Sequence, residues 1–520
     1  MIKIELNISI DESDDIYALA TAFLNTTREN VLNVQILKKS IDARYSNKPI
    51  YVVSLGVKLR DESCLSKTYP SYTPPYQAIS QLRLPKSIKP HTIAIIGSGP
   101  AGLFAALTLI ECGHKPIIFE RGEDVDSRIR SVAEFNLTGV LNEESNIQFG
   151  EGGAGTFSDG KVNTGVSDGY IPIVIGEFLK FGAPQDIRYM RNPHIGTDNL
   201  RKIVVQMRRY IIDRGGEFKF NTRVDSLKIS YGKIVGITGK SFDMCCDIVV
   251  CAAGQSARDT YSMLHDSGVS MEQKAFSIGL RIEHLRAEIN KAQYGTHASL
   301  LPAADYKLHT RVGKDRIAYT FCMCPGGEVV SAASERGYVV SNGMSFHSRD
   351  NINSNSAILV NVKPEDFPTK DVLAGIEFQR KYEKIAFSFS NDYRIPAQKV
   401  SDFIKGRVTT KFTSIIPSCK RGIVQADLNK CVPRFVAEGI KEALLAFDKK
   451  VRGFASDDAV LSGVETRTSA PVRILRKENG ESNTLKGLYP AGEGAGYSGG
   501  IMSSAIDGIR VALKIAENLL

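Results

Sequence analysis

Three features of the 520-residue sequence predict an α/β protein of several domains organised round a parallel sheet. In "TIAIIGSGPAGLFAALTLIECGHKPIIFERGE" an apolar strand runs into a glycine turn, a helix and a second apolar strand, which is a βαβ unit. A second glycine cluster, "GLYPAGEGAGYSGGIMSSAIDGIRVA" at 487–512, opens another helix close to the end of the chain. A small α/β segment precedes both and is set apart by a proline-rich stretch. A chain this long exceeds what one hydrophobic core supports, so two or three domains are expected.

Residues 1–59 read as strand, helix, strand, strand. "IKIELNISI" alternates, and "DIYALATAFLNTT" has helical spacing behind Asp14 or Asp15 as cap. "VLNVQIL" and "IYVVSLGVKL" are β-rich. The amino-terminal module is bounded at 1–68. Residues 69–90, "YPSYTPPYQAISQLRLPKSIKP", carry four prolines between 70 and 85 and then Pro90, the composition of an extended connector. The βαβ unit places a strand over Thr92–Ile96, a helix from about Pro100 to Cys112 and a strand over Lys115–Phe119. "TDNLRKIVVQMRRYIIDRGG" predicts an amphipathic helix capped by Thr197 or Asp198 and stopped at Gly215. "EFKFNTRVDSLKIS", "KIVGITG" and "DIVVCAAG" follow as three β-rich segments. Residues 276–461 mix strands and helices without a further nucleotide-type glycine pattern, and "PRFVAEGIKEALLAFDKKV" is their plainest helix.

Composition is ordinary for a soluble protein, 42% apolar and 24% charged. The net charge of +9 comes without a long basic block, so excess surface lysine accounts for it and a nucleic-acid partner is not expected. The apolar stretch Ile93–Cys112 is interrupted by glycines and Pro100 and makes a poor membrane span. The opening "MIKIELNISIDESDD" has no basic-then-apolar leader pattern, and the nine cysteines include no C-x-x-C. Free thiols in a reducing cytoplasm are expected. The histidines show no zinc-like spacing with cysteine, and no metal site is expected.

Gly97, Gly99 and Gly102 fit G-x-G-x-x-G between an apolar strand and a helix, and Glu120 ends the next strand about 20 residues on. Gly97 permits the tight turn, Gly99 lets backbone approach a pyrophosphate, and Gly102 lets the helix lie close on the strand. The helix start offers free N–H groups and a positive dipole end to phosphates. Glu120 is expected to accept from ribose hydroxyls and to repel a 2′-phosphate, which leaves NAD or FAD rather than NADP.

"IGSGPAGLFAA…FERG" resembles flavoproteins of the glutathione-reductase-type FAD superfamily. More narrowly, the chain resembles a branch of uncharacterised FAD-dependent dehydrogenases or oxidoreductases. The resemblance spans nearly the whole chain and rests on "LKKSIDAR", "NIQFGEGGAGTFSDGK", "AAGQSARDT", "FCMCPGGEVV", "SNGMSFHSRD", "ETRTSAPVRI" and the C-terminal glycine stretch. It implies a Rossmann-like FAD-binding domain of the glutathione-reductase kind (ββα-type), discontinuous over 91–275 and 462–520. An α+β substrate or cap domain, 276–461, is inserted between the two parts.

The resemblance also implies the site. Gly97, Gly99, Pro100, Ala101 and Gly102 form the first turn, followed by Glu120 and Arg121. Gly153, Ala154, Gly155 and Thr156 run along the pyrophosphate toward the isoalloxazine ring, and Val224 meets adenine. Ala253 and Gly254 approach the cofactor at a strand end. Gly492, Glu493, Gly500, Ile501 and Met502 complete the cradle, and the helix beginning near Met502 points its N-terminus at the flavin pyrimidine edge, where reduced flavin is negative. Glu493 stands where the superfamily usually has Asp. Disulfide reductases carry a redox cysteine pair in the middle cluster; Thr156, Phe157 and Ser158 stand there here, against flavin–disulfide chemistry by that route.

Lys161 is a candidate cation near the flavin, with a surface position as the alternative. Cys322 and Cys324 form a C-x-C that would face one side of a strand, either as a reactive pair or as packed thiols. Arg281, Arg349, Arg467 and Arg473 are candidate anion clamps, and His284 and His347 candidate proton carriers. The general acid or base is not identified. The expected function is FAD-dependent hydride transfer to or from a small-molecule substrate. Either that substrate reduces the flavin directly or NAD(P)H visits without a Rossmann domain of its own. The alternatives are a flavin-dependent RNA-modifying enzyme and a non-catalytic flavin-binding sensor or scaffold.

Overall fold

Ile93–Ile96, four buried apolar residues, forms the middle of a five-stranded sheet in the computed structural model, which describes residues 1–11, 15–44, 48–86, 91–165 and 167–520. The strand order is Leu488–Pro490, Ile248–Cys251, Ile93–Ile96, Ile117–Phe119, Glu217–Lys219, and every pairing is parallel. Continuous apolar runs such as "IAII" and "IVVC" suit a strand covered on both faces. The strand from the C-terminal glycine stretch enters the same sheet as the first βαβ unit, so the two glycine clusters belong to one domain. Rossmann-like architecture is therefore present.

The helix Pro100–Glu111 is buried from Ala101 to Ile110, and the helix Ile501–Asn518 lies directly upon it. Close approach leaves no room for a side chain at two points: a Cβ on Gly102 would fall 2.0 Å from the carbonyl oxygen of Gly97 in the preceding turn, and one on Gly508 would fall 2.2 Å from that of Ala101 on the facing helix.

The amino-terminal expectation is met in order: Ile2–Ser9, helix Ile16–Leu24, Val31–Asp42 and Ile50–Leu59, with the last strand central in an antiparallel sheet. Asp15 caps the helix through the N–H groups of Tyr17 and Ala18, while Asp14 lies outside the described residues. The connector is docked rather than free: Tyr72 N–H bonds Met1 O, and buried Ile79 donates its N–H to Glu177.

The long helix spans Thr197–Asp213, but its cap is Gly196 rather than Thr197 or Asp198. The Thr197 hydroxyl bonds Thr156 O and the Asp198 carboxylate accepts from His347 N–H, so both side chains are drawn away from their own helix.

The inserted region centres on a seven-stranded sheet ordered 309–312, 316–324, 353–362, 276–285, 460–465, 395–399, 423–425, covered by the helix Arg434–Asp448. The expected boundary at 461/462 falls inside the strand Val460–Glu465, which pairs along the sheet of the inserted region. A strand buried along its whole length gives no composition break to mark where one sheet ends.

Gly508→Val should destabilise the protein by about 1–3 kcal/mol through forced separation of the two helices. Gly169→Ala, facing open space, should stay within about 0.5 kcal/mol of the parent. Denaturant midpoints at constant m-value check both.

Candidate functional site

Glu120 follows the strand Ile117–Phe119 and is 5% exposed. Its Oε2 accepts from the Ser98 N–H at 3.0 Å and the Ser98 hydroxyl at 2.7 Å. Its Oε1 accepts from the N–H groups of Gly122 at 2.9 Å and Gly150 at 3.1 Å. A carboxylate offers about four acceptor positions, and protein donors occupy all of them. Any ribose hydroxyl must therefore share Glu120 with the loops it ties together.

The middle glycine loop is held from beneath by Arg128, which is fully buried. Its guanidinium donates to the carbonyls of Asn146, Ile147, Glu151 and Gly153 and to the Thr156 hydroxyl. The C-terminal loop is pinned on three sides. Asp507 accepts from Gly492 N–H, Tyr261 donates to Gly494 O, and Gln255 donates to Glu493 Oε1 at 2.8 Å.

These loops wall a cavity of about 340 Å³, within the roughly 300–1,000 Å³ of small-molecule sites. Gly97, Gly99, Pro100, Ala101, Glu120 and Arg121 line it, as do Gly153, Ala154, Gly155, Val224, Ala253 and Gly254. Glu493, Gly500 and Ile501 line it from the C-terminal segment. Four expected residues stand behind the wall instead. Gly102 sits against Gly97, Thr156 serves Arg128, Gly492 abuts Ala101, and Met502 is buried in the core. Lys161 and Cys322 reach the cavity; Cys324 is fully buried and does not line it.

The other candidates divide. Arg467 lines the cavity, with its guanidinium held by Glu383 and Ser334. Arg281 is buried in a bidentate pair with Glu465, and Arg473 pairs with Glu272 away from the cavity. Arg349 bonds Asp159, and buried His284 bonds Phe454 O. His347 stacks on His194 at 5.0 Å between ring centroids. Sequence reasoning missed Ser98, Gln148, Asp159, Gln255, Asn342 and Glu465 as lining residues. Gln255 had a readable signal, a polar residue directly after the glycine of a strand end; Asn342 and Glu465 lie in quoted motifs, but on strands whose pairing, in a two-stranded and the seven-stranded sheet respectively, the motifs do not reveal.

The cavity fits an extended dinucleotide. A Cβ on Gly99 would meet only Gly153 Cα, at 3.9 Å, and one on Gly254 or Gly500 would meet nothing within 4 Å. Backbone thus faces open space at three bends. The helices starting at Pro100 and Ile501 both begin without a side-chain cap, and both starts line the cavity. Their free N–H groups suit a pyrophosphate at one and an electron-rich ring edge at the other.

Lys161 donates to Asp159 at 2.7 Å and to Met323 O. Asp159 also takes Arg349 and the Ser345 hydroxyl. Burial opposes the Asp159 charge, but Lys161 and Arg349 hold its carboxyl well below the usual range. Burial likewise opposes the Lys161 charge, and Asp159 more than restores it. Burial and Arg349 push His194 down to about 4, so its ring is neutral at pH 7. Burial pushes Glu493 up to about 7, against the Gly500 N–H and Lys274.

A family model described as "FAD-dependent protein, C-terminal domain-like" matches residues 275–468, and one described as "FAD binding domain" matches 92–134. Residues 1–58 match a domain of unknown function. An uncharacterised protein of Clostridium beijerinckii is 46% identical over 98% of both chains. The small chain of glutamate synthase [NADPH] from Mycobacterium tuberculosis is 40% identical over 58 residues, 11% of this chain and 12% of that protein. Among solved structures, glycine oxidase from Bacillus cereus aligns at 14% identity over 82% of this chain and 95% of its own, with a TM-score of 0.32. Glycerol-3-phosphate dehydrogenase from Bacillus halodurans, complexed with FAD, aligns at 13% identity over 83% and 66%, with a TM-score of 0.33.

Gly99→Val should leave the ligand-free fold intact, since the backbone there is extended at φ −71°, ψ −177° and the neighbourhood is open. It should abolish FAD retention; mutant protein that purifies yellow and cofactor-replete contradicts the site. In ligand-free protein Glu493 keeps its proton up to about pH 7, whereas the unfolded chain loses it near 4.5. Its contribution to stability is thus full below pH 4.5 and is lost as pH rises to about 7. Glu493→Gln should become progressively more stable relative to the parent across that window, read from denaturant midpoints at several pH values.

Proposed function

The chain belongs to a family of FAD-dependent oxidoreductases, and from that premise we propose that it is a dehydrogenase passing hydride between a small-molecule substrate and FAD. The observation that carries this reading is the meeting of two uncapped helix N-termini, from chain segments far apart, on one cavity that the inserted region closes.

Bound FAD supplies the hydride chemistry. The start of the helix Pro100–Glu111 would hold the pyrophosphate, and Val224 and Arg121 would flank the adenosine part. The start of the helix Ile501–Asn518 would stabilise negative charge on the pyrimidine edge of the ring. Lys161 adds a fixed cation, kept charged by Asp159. Phe321, Cys322 and Asn342 bring the inserted region over the cavity, where a substrate would be held and water excluded. A visiting nicotinamide is the proposed alternative reductant. Among the described residues one parallel sheet carries the glycine turn, and that sheet is assigned to FAD.

Anaerobic protein should lose its flavin absorbance with at least one nicotinamide or small organic reductant. A flavin that no member of such a panel bleaches counts against turnover and favours a sensor. Lys161→Met removes a charge-assisted interaction of about 1.5–3 kcal/mol and should lower the flavin midpoint potential by about 30–60 mV. An unchanged potential removes Lys161 from this role.

A further inference from the structure

We propose that Cys322 and Cys324 form a redox pair in the inserted-region wall of the cavity and exchange two electrons with the flavin. The proposal rests on the FAD reading above, and it assigns a dithiol–disulfide chemistry to that site.

The strand Arg316–Cys324 loses its register against Asn353–Val362 between Phe321 and Cys324. In a regular strand residues two apart share a face. Here Cys322 is left-handed, at φ 43°, a conformation that non-glycine residues adopt where surrounding structure imposes it. The two cysteines consequently differ in access. Cys322 is half-buried and lines the cavity, whereas Cys324 is fully buried behind it. They remain in contact: the Cys324 thiol donates to Cys322 O at 3.3 Å. Both are free thiols.

The surroundings separate their chemistry. Lys161 bonds the carbonyl of Met323, between the two cysteines, and Arg281 bonds Cys322 O at 3.2 Å. The acidic groups facing Cys322 are Asp159, Glu465 and Glu493. Asp159 is bonded to Lys161 and Arg349, and Glu465 to Arg281. The Cys324 hydrogen bond, opposed by burial and aided by Lys161 and Arg281, pushes the Cys322 thiol down. The same contact and burial push Cys324 up. Thiolate character therefore favours Cys322, at the cavity, and the proton favours Cys324 behind it. Elsewhere burial pushes up the thiols of Cys112, Cys246, Cys251, Cys419 and Cys431, which makes them poor nucleophiles.

In the oxidising direction the Cys324 S–H bond breaks and an Sγ–Sγ bond forms. Two electrons leave the pair, and with the Cys324 proton they pass to oxidised flavin, the oxidant of this step. The reverse step returns two electrons and one proton to the disulfide.

The test uses flavin-loaded protein treated with diamide, desalted, and titrated anaerobically with dithionite. The parent should take up two two-electron equivalents per flavin, and Cys322→Ser and Cys324→Ser one each. Peptide mapping of the parent should show a Cys322–Cys324 disulfide, a readout that holds even where a variant fails to fold. Before oxidation, iodoacetamide at pH 6 should modify Cys322 at least tenfold faster than exposed Cys64 and Cys245, and added FAD should slow it. Flavin-replete parent that takes up one equivalent, or forms no such disulfide, overturns the pair. Colourless protein that still forms the disulfide overturns the FAD reading and with it the exchange with flavin, while supporting the paired thiols.

Discussion

The site depends on the burial of one charge. Glu120 is taken out of water at the end of a three-residue strand, and an ionised carboxylate there is tolerable only if its acceptor positions are filled. Three of its four donors are backbone N–H groups, from Ser98, Gly122 and Gly150, and the fourth is the Ser98 hydroxyl. Satisfying the charge therefore fixes the orientation of peptide planes in two cavity-lining loops at once. Arg128 repeats the logic with opposite sign, since its five bonds all go to oxygens of the segment 146–156. Loop shape is set by buried ions, and the glycines supply the room for it.

A second set of buried ions fixes the inserted region against the sheet domain. Glu383, on the inserted helix Ala374–Ser388, meets Arg258 from the sheet domain and Arg467 from the returning chain. Arg258 also bonds Gln379 and Glu335. Two residues back along the chain, and inside the inserted sheet itself, Glu465 holds Arg281 in a bidentate pair. Such pairs contribute little net stability but penalise any arrangement that separates them. Their worth here is orientation, because Glu465 and Arg467 both line the cavity, and Asn342 and Phe321 reach it from the same sheet-rich region.

The sheet domain was legible because local rules suffice for it. An apolar run, a glycine turn and a capless helix start specify their own geometry, so Gly97, Gly99, Pro100 and Ala101, and Gly500 and Ile501, could be placed from spacing and resemblance. Gly508 shows the limit of that reading: it serves helix contact, as Gly102 serves the close approach of its helix to the strand and turn, and a glycine in a string does not by itself say whether ligand or backbone takes the space of its missing Cβ. The inserted region was opaque for another reason. Cys322 reaches the cavity through a lost register and a left-handed residue, neither of which has a pattern in "FCMCPGG". The polar lining contributed by Asn342 and Glu465 arises from long-range strand pairing, which periodicity does not encode.

One apparent contradiction resolves in the same terms. Glu120, Asp159, Glu465 and Glu493 all line a cavity assigned to an anionic dinucleotide. Three of these carboxylates are already neutralised or saturated within the protein. Glu120 has its four donors, Asp159 has Lys161 and Arg349, and Glu465 has Arg281. The fourth, Glu493, is pushed by burial toward the protonated form near pH 7 and so carries reduced charge. Among the described residues, the two helix starts lack a side-chain cap, and their free N–H groups present positive ends. The acids therefore act on the protein's own loops and cations, and the field offered to a ligand is set mainly by backbone dipoles, which hold their direction because those same acids have fixed the loops around them.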